Sequence, residues 1–101
     1  MPPVWTDLAT AAALVKDGDL VALGGHTQAA PMALIRELIR QGRRRLGLIT
    51  VPTGGLNVDL AVGAGMADQI HFAQVGLEEF GMAPNLRAAV QAGRLHCLEY
   101  P

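Results

Sequence analysis

The stretch DGDLVALGGHTQAAP, residues 17–31, decides how the chain folds. Leu20, Val21, Ala22 and Leu23 form a short apolar run of the kind a buried strand requires. Gly24 and Gly25 then permit a sharp turn, because a residue without Cβ reaches backbone angles that others avoid. Pro31, with its φ already helical and no N–H to lose, opens a helix. The unit is therefore strand, turn, helix. In an open parallel sheet, ligands bind beyond the carboxyl ends of the strands, where helix N-termini and bare N–H groups face a crevice. Loop 24–30 is the first candidate site, and a tight connection with no further role is its plain alternative.

The same unit recurs downstream. Pro31 starts a helix with Leu34, Ile35, Leu38 and Ile39 on one face and Arg36, Glu37, Arg40 and Gln41 on the other, and Gly42 fits its C-terminal cap. Residues 46–51 read as a second strand, broken by Pro52, Gly54 and Gly55. Asn57 or Asp59 can cap a short third helix ending near Gly63. Residues 69–75 read as a third strand, with a loop over 76–83. Pro84, Leu86, Ala89 and Val90, with Gly93 behind them, make a fourth helix, and 95–100 a fourth strand. Upstream, Thr6 can cap a first helix bearing Leu8, Ala11, Ala12 and Val15, which Lys16 and Gly18 end.

Strands alternating with helices through short loops predict right-handed crossovers and a parallel sheet covered on both faces, an α/β, Rossmann-like half. A last strand without a following helix leaves one sheet edge and part of one face open.

At 101 residues the chain is one domain at most. Half the residues are hydrophobic, 17% are charged and 4% aromatic, so the core must be built from Ala, Leu, Val and Ile; this suits an ordered α/β protein. A net charge of −1 gives no basic field for nucleic acid, and Arg43, Arg44 and Arg45 fit better at a helix end, opposing its dipole. The single cysteine, Cys97, can form no internal disulfide, and no apolar run approaches the ~20 residues that span a bilayer. A soluble, cytoplasmic protein is expected.

The chemistry-bearing residues are few. Adjacent Gly24 and Gly25 without a third glycine do not make the dinucleotide fingerprint, and no phosphate-binding glycine-lysine-serine or glycine-lysine-threonine sequence occurs. Gly63 and Gly65 precede a strand and so lack a helix N-terminus for a pyrophosphate. His71 and His96 fall inside strands, where packing or edge roles are expected, and no metal site is predicted. His26, directly after the glycine pair, can donate a hydrogen bond to a ligand. Glu78 and Glu79 fall in the loop after the third strand, on the same side of the sheet. Paired carboxylates can do acid-base work, although neighbours in a loop commonly point apart. With no serine in the chain and Cys97 inside a strand, no nucleophile and base pair is present.

Taken together, DGDLVALGGHTQAAP, PMALIRELIRQG, LGLIT and AVGAGMADQIHFAQVGLEEFGMAPNLRAAVQAGRLHCLEY resemble, in order and over nearly the whole chain, the α-type subunit of family I CoA-transferases, of the glutaconate CoA-transferase kind. The resemblance implies a three-layer α/β fold of the NagB/RpiA/CoA-transferase type. It implies coenzyme A as substrate with no tightly bound cofactor, and a β-type partner that supplies the glutamate nucleophile. CoA would pass between an acyl-CoA and a carboxylic acid through a glutamyl-CoA thioester. The family's signature corresponds to Asp17, Gly18, Gly24, Gly25 and Pro31.

On this footing Gly24, Gly25, His26, Thr27 and Gln28 are the candidate substrate and CoA-binding residues, and Gly54, Gly55, Gly76 and Glu79 belong to candidate pocket loops. None of them is a candidate nucleophile. His26 stands where the family usually carries an aromatic residue, and the loop from it to Pro31 is one residue short. Family α-type chains are also more than twice as long, so residues 1–101 are expected to be an N-terminal portion, inactive alone and assembled as a hetero-oligomer, or as a homodimer if isolated. The alternatives are a hydrolase of the same fold that opens a ring in a CoA thioester, and an assembly module without activity.

Overall fold

A computed structural model describes residues 2–25, 29–50 and 53–100. The elements follow in the order α1 (Leu8–Ala12), β1 (Leu20–Leu23), α2 (Met32–Arg40), β2 (Leu46–Thr50), β3 (Thr53–Gly54), α3 (Leu56–Gly63), β4 (Ala67–Phe72), β5 (Gln74–Val75), a 3-10 turn (Glu78–Phe80), α4 (Pro84–Gln91) and β6 (His96–Glu99). The main sheet has the order β1-β2-β4-β6, with every pair parallel, and β3 and β5 form a separate two-stranded sheet. The α/β class and the parallel, helix-alternating sheet are those expected.

The covering of the sheet is not. Each right-handed crossover here adds its strand to the same growing edge, so every crossover helix lands on the same face; covering both faces would need the strand order to reverse. One buried cluster joins Leu23, Leu46, Leu48 and Ile70 of the sheet to Ala12, Ile35, Leu38, Val58, Ala61, Val62 and Ala89 of the four helices. The register rows of opposite parity, Leu20 with Gly47, Gln69 and His96, and Ala22 with Ile49, His71 and Leu98, form the other face. Leu20 is 55% exposed there. His71 takes part in a 2.8 Å hydrogen bond with Gln69 and stacks on the exposed Tyr100, with ring centroids 5.8 Å apart, so its ring is half-buried on this face.

Local chemistry sets the element ends. Asp7, not Thr6, caps α1: its carboxylate accepts the Thr10 N–H at 2.7 Å, and the helix stops at Ala12, short of Val15. Gly42, at φ 74°, closes α2 with paired bonds from Gly42 N to Ile39 O and Arg43 N to Leu38 O, the double closure that a left-handed residue after a helix permits. Arg43 donates to the Gln41 carbonyl at this helix end and to Val15 O at 2.6 Å, tying the segment that follows α1 to the end of α2. The expected third strand is broken at Ala73, where the chain leaves the main sheet and Gln74–Val75 pairs with Thr53–Gly54 instead. Among the described residues no helix is long and apolar enough to cross a membrane.

Candidate functional site

Because β1, β2 and β4 are parallel, the loops that follow them all leave the sheet at its carboxyl end. Gly24 is exposed and Gly25 half-buried at the end of β1. Gly25 has φ +80°, and a Cβ there would lie 2.6 Å from backbone atoms of Ala29 and Ala30, so the returning chain leaves room only for glycine. His26, Thr27 and Gln28 lie outside the described residues. Asp17 and Gly18, the other half of the same motif, sit at the opposite end of β1. There Asp17 Oδ1 accepts the Arg44 N–H at 2.9 Å and the Gly18 N–H donates to Arg44 O at 3.2 Å, which joins the approaches to β1 and β2.

The second loop packs more than it lines. Gly54 and Gly55 are both buried, and a Cβ on Gly54 would meet Thr50 Cγ2 at 2.7 Å and Val58 Cγ2 at 2.8 Å. The third loop is bound to it through the β3–β5 pair and by Gly76 N–H donating to Gly54 O at 3.1 Å. Glu79 is exposed in the 3-10 turn that follows, which Gly81 closes by accepting the Leu77 N–H at 2.9 Å. An apolar groove of about 350 Å³ adjoins this loop, walled by Val75, Met82, Leu86 and Val90 with Arg87 at its side.

Two polar residues of α3 hold the arrangement together, and sequence reading assigned both only to the cap of their own helix. The N-cap is Gly55, and Asn57 and Asp59 are buried beyond it. Asn57 Oδ1 accepts the Gly55 and Val58 N–H groups at 3.0 and 2.9 Å, while its Nδ2 donates to Gly24 O at 3.2 Å. The first and second loops are thus joined through one side chain. Asp59 caps a different helix: its carboxylate accepts the Leu86 N–H at 2.8 Å and the Asn85 amide at 3.0 Å, at the first turn of α4. The available signal was two polar residues in a helix apolar on all sides, where burial demands partners.

Burial, and then the neighbouring Glu99 charge, push the half-buried Cys97 thiol above its usual value. Among the described residues no three His, Cys, Asp or Glu side chains gather as a metal site. What this end of the sheet presents is backbone: exposed glycine peptide after β1, held by loops that are hydrogen-bonded to one another, with the apolar groove beside the third loop.

The coenzyme A transferase family model matches residues 5–101. The chain belongs to the coenzyme A transferase family. Within it, the chain is 42% identical over 85 residues to one of the subunits of the 3-oxoadipate CoA-transferase of Pseudomonas knackmussii, covering 84% of this chain and 30% of that protein. Among solved structures it is similar to a crystal structure of the decarboxylase AibA/AibB in a cysteine-to-serine variant. The TM-score is 0.86 at 33% identity, over 97% of this chain and 38% of the other. This coenzyme A transferase family chain therefore spans about a third of the length of the relatives it matches.

Proposed function

We propose that this chain is the N-terminal portion of a CoA-transferase α-type subunit, and that the whole protein moves CoA between an acyl-CoA and a carboxylic acid together with a β-type subunit carrying the glutamate nucleophile. The observation that carries the reading is the family match along residues 5–101, which includes the glycine loop at the carboxyl end of the sheet. In this reading Gly24, Gly25, His26, Thr27 and Gln28 contact the CoA thioester, and the loops holding Gly54, Gly55, Gly76 and Glu79 wall the pocket.

The division of labour is physically reasonable. A carboxylate is a weak nucleophile in water, so acyl transfer gains from a dry pocket and from fixed donors placed where oxyanion charge develops. Backbone N–H groups of a glycine turn are such donors, and the groove beside Val75 and Met82 supplies an apolar wall. The nucleophile comes from the partner, coenzyme A is substrate rather than resident cofactor, and the assembly is a cytoplasmic hetero-oligomer.

A second reading, a decarboxylase on the same scaffold, is favoured by the likeness to the AibA/AibB structure. One experiment separates them. The native assembly is supplied with an acyl-CoA, with and without a carboxylic acid acceptor, and the CoA species are followed by mass spectrometry. The name of the 42% identical relative makes 3-oxoadipate the first acid to test. Acceptor-CoA formed only when the acid is present supports the transferase; loss of carbon dioxide from the acyl-CoA supports the decarboxylase. Free CoA released without an acceptor would point to the hydrolase and overturn both.

A further inference from the structure

Asn57 has a buried amide whose two ends do different work. Its orientation is set by its partners: the Gly55 N–H needs an acceptor and the Val58 N–H, which also donates to Gly55 O, lies beside it, so the oxygen faces them and the NH2 group is left for the glycine loop, where it donates to Gly24 O at 3.2 Å and lies 3.5 Å from Gly25 O. No part of the residue is exposed to solvent. The oxygen end stays within the first turn of α3, but the nitrogen end reaches across 33 residues of sequence to the glycine loop.

That second bond determines which way a peptide group faces. The peptide unit is planar and trans, so fixing the Gly24 carbonyl toward Asn57 turns the Gly25 N–H to the opposite side, away from α3. Among the described residues the Gly25 N–H meets no acceptor. At φ +80° the Gly25 backbone is held in the left-handed region, and the Ala29–Ala30 backbone packed against it limits how the turn can relax. A donor turned away from α3 at the carboxyl end of a parallel sheet, with no acceptor among the described residues, is what a developing oxyanion requires.

We propose that Asn57 is a positioning residue: it holds the Gly24–Gly25 peptide so that the Gly25 N–H donates to the carbonyl oxygen of a bound acyl thioester. The assignment rests on the reading of the glycine loop as part of the acyl-CoA site. Asn57 itself touches no reacting atom. Its role separates from ordinary packing because one substitution reverses one half of its bonding and keeps the other. In Asn57→Asp an oxygen still accepts the Gly55 and Val58 N–H groups, and a negative charge in the first turn of α3 is favoured by the helix dipole. The second oxygen, however, replaces the donor and faces Gly24 O across about 3.2 Å, where the two repel.

The test uses the native assembly carrying Asn57→Asp. Its crystal structure at neutral pH is expected to show the Gly24–Gly25 peptide turned away from residue 57 with α3 unmoved. Acyl-CoA turnover should fall about tenfold in kcat with KM little changed, since the lost donor acts in the transition state; this is below the ~100-fold typical of deleting a donor outright, because the N–H survives misaimed. Both effects should reverse as pH is lowered through the titration of the introduced carboxyl, because the protonated acid can donate to Gly24 O again. A recovery of that kind is not expected of a merely structural lesion.

An unmoved peptide with unchanged kcat would overturn the proposal, as would a loss of kcat that low pH does not restore. If the wild-type assembly turns over no acyl-CoA, the functional reading fails by itself, and the crystal structure still decides whether Asn57 aims this peptide. Asn57→Ala, which loses both halves of the bonding, serves as the control for general destabilisation.

Discussion

Asp59 offers the sharpest check on how the helical layer is held. Its carboxylate is 3% exposed and accepts the Leu86 N–H at 2.8 Å, a donor at the first turn of α4 that has no partner within its own helix. Asp59→Ala removes the cap, which is worth about 1 kcal/mol, and leaves the half-buried N–H unpaired, for a further ~1 kcal/mol or more. The second bond, from Asn85, adds little to the loss because Asn85 is exposed and can turn to water. A total near 2 kcal/mol corresponds to a fall of roughly 4–8 °C in Tm for a chain of a few hundred residues. Asp59→Asn keeps an oxygen for Leu86, and should cost less than half as much.

The assay is thermal and urea unfolding of the full-length protein, followed by circular dichroism, with the urea slope checked so that a midpoint shift reports stability. A melting temperature unchanged by Asp59→Ala would refute the capping argument. So would a loss from Asp59→Asn as large as that from Asp59→Ala, since the charge and not the acceptor would then matter.

Other expectations follow from single contacts. Gly63→Ala places a Cβ 2.6 Å from Asn85 Cγ, displacing the side chain that Asp59 holds; its cost should therefore be non-additive with that of Asp59→Ala in a double-mutant cycle read by urea midpoints. Gly54→Ala overpacks the contact with Thr50 and Val58 and should cost about 1–3 kcal/mol, read by thermal melting. The Asp7 carboxyl is held below its ordinary 3.8 by the hydrogen bonds from Thr10, so its support of α1 is present above that value and is lost as pH falls through the lower folded one. Acid titration followed by the Thr10 amide resonance should show that loss, and Asp7→Asn should abolish the titration. Cys97 should alkylate more slowly near neutral pH than an unfolded thiol, because burial and Glu99 raise its pKa, and Glu99→Gln should speed the reaction in a timed iodoacetamide assay.

Much of the scaffold is written locally. The runs LVAL and LGLIT are apolar without alternation, the pattern of strands inside a parallel sheet, and the four-position faces of α2 demand a core on one side. Gly42 and Gly93 mark helix ends because only a residue free to take positive φ closes a helix there cheaply. Reading residues 69–75 as one strand failed at Ala73, since which neighbour a strand pairs with is a property of distant chain. The candidate site was half legible. Its glycines announce turns, but only the packed positions of Val58 and Ala29 say why no side chain fits at Gly54 and Gly25.

Sequence alone therefore determined the alternation of strands and helices, the turn at Gly24 and Gly25, and the family to which the chain belongs, since each rests on periodicity or on residues close together along the chain. Tertiary structure decided that the sheet grows along one edge and keeps one face free of crossover helices. It also decided that Asn57 and Asp59 serve a loop and a helix other than their own. The physical reason is common to both. Hydrogen bonds spanning 33 and 27 residues leave no local trace beyond a polar side chain in an apolar helix, and their partners are defined only once the strands have packed.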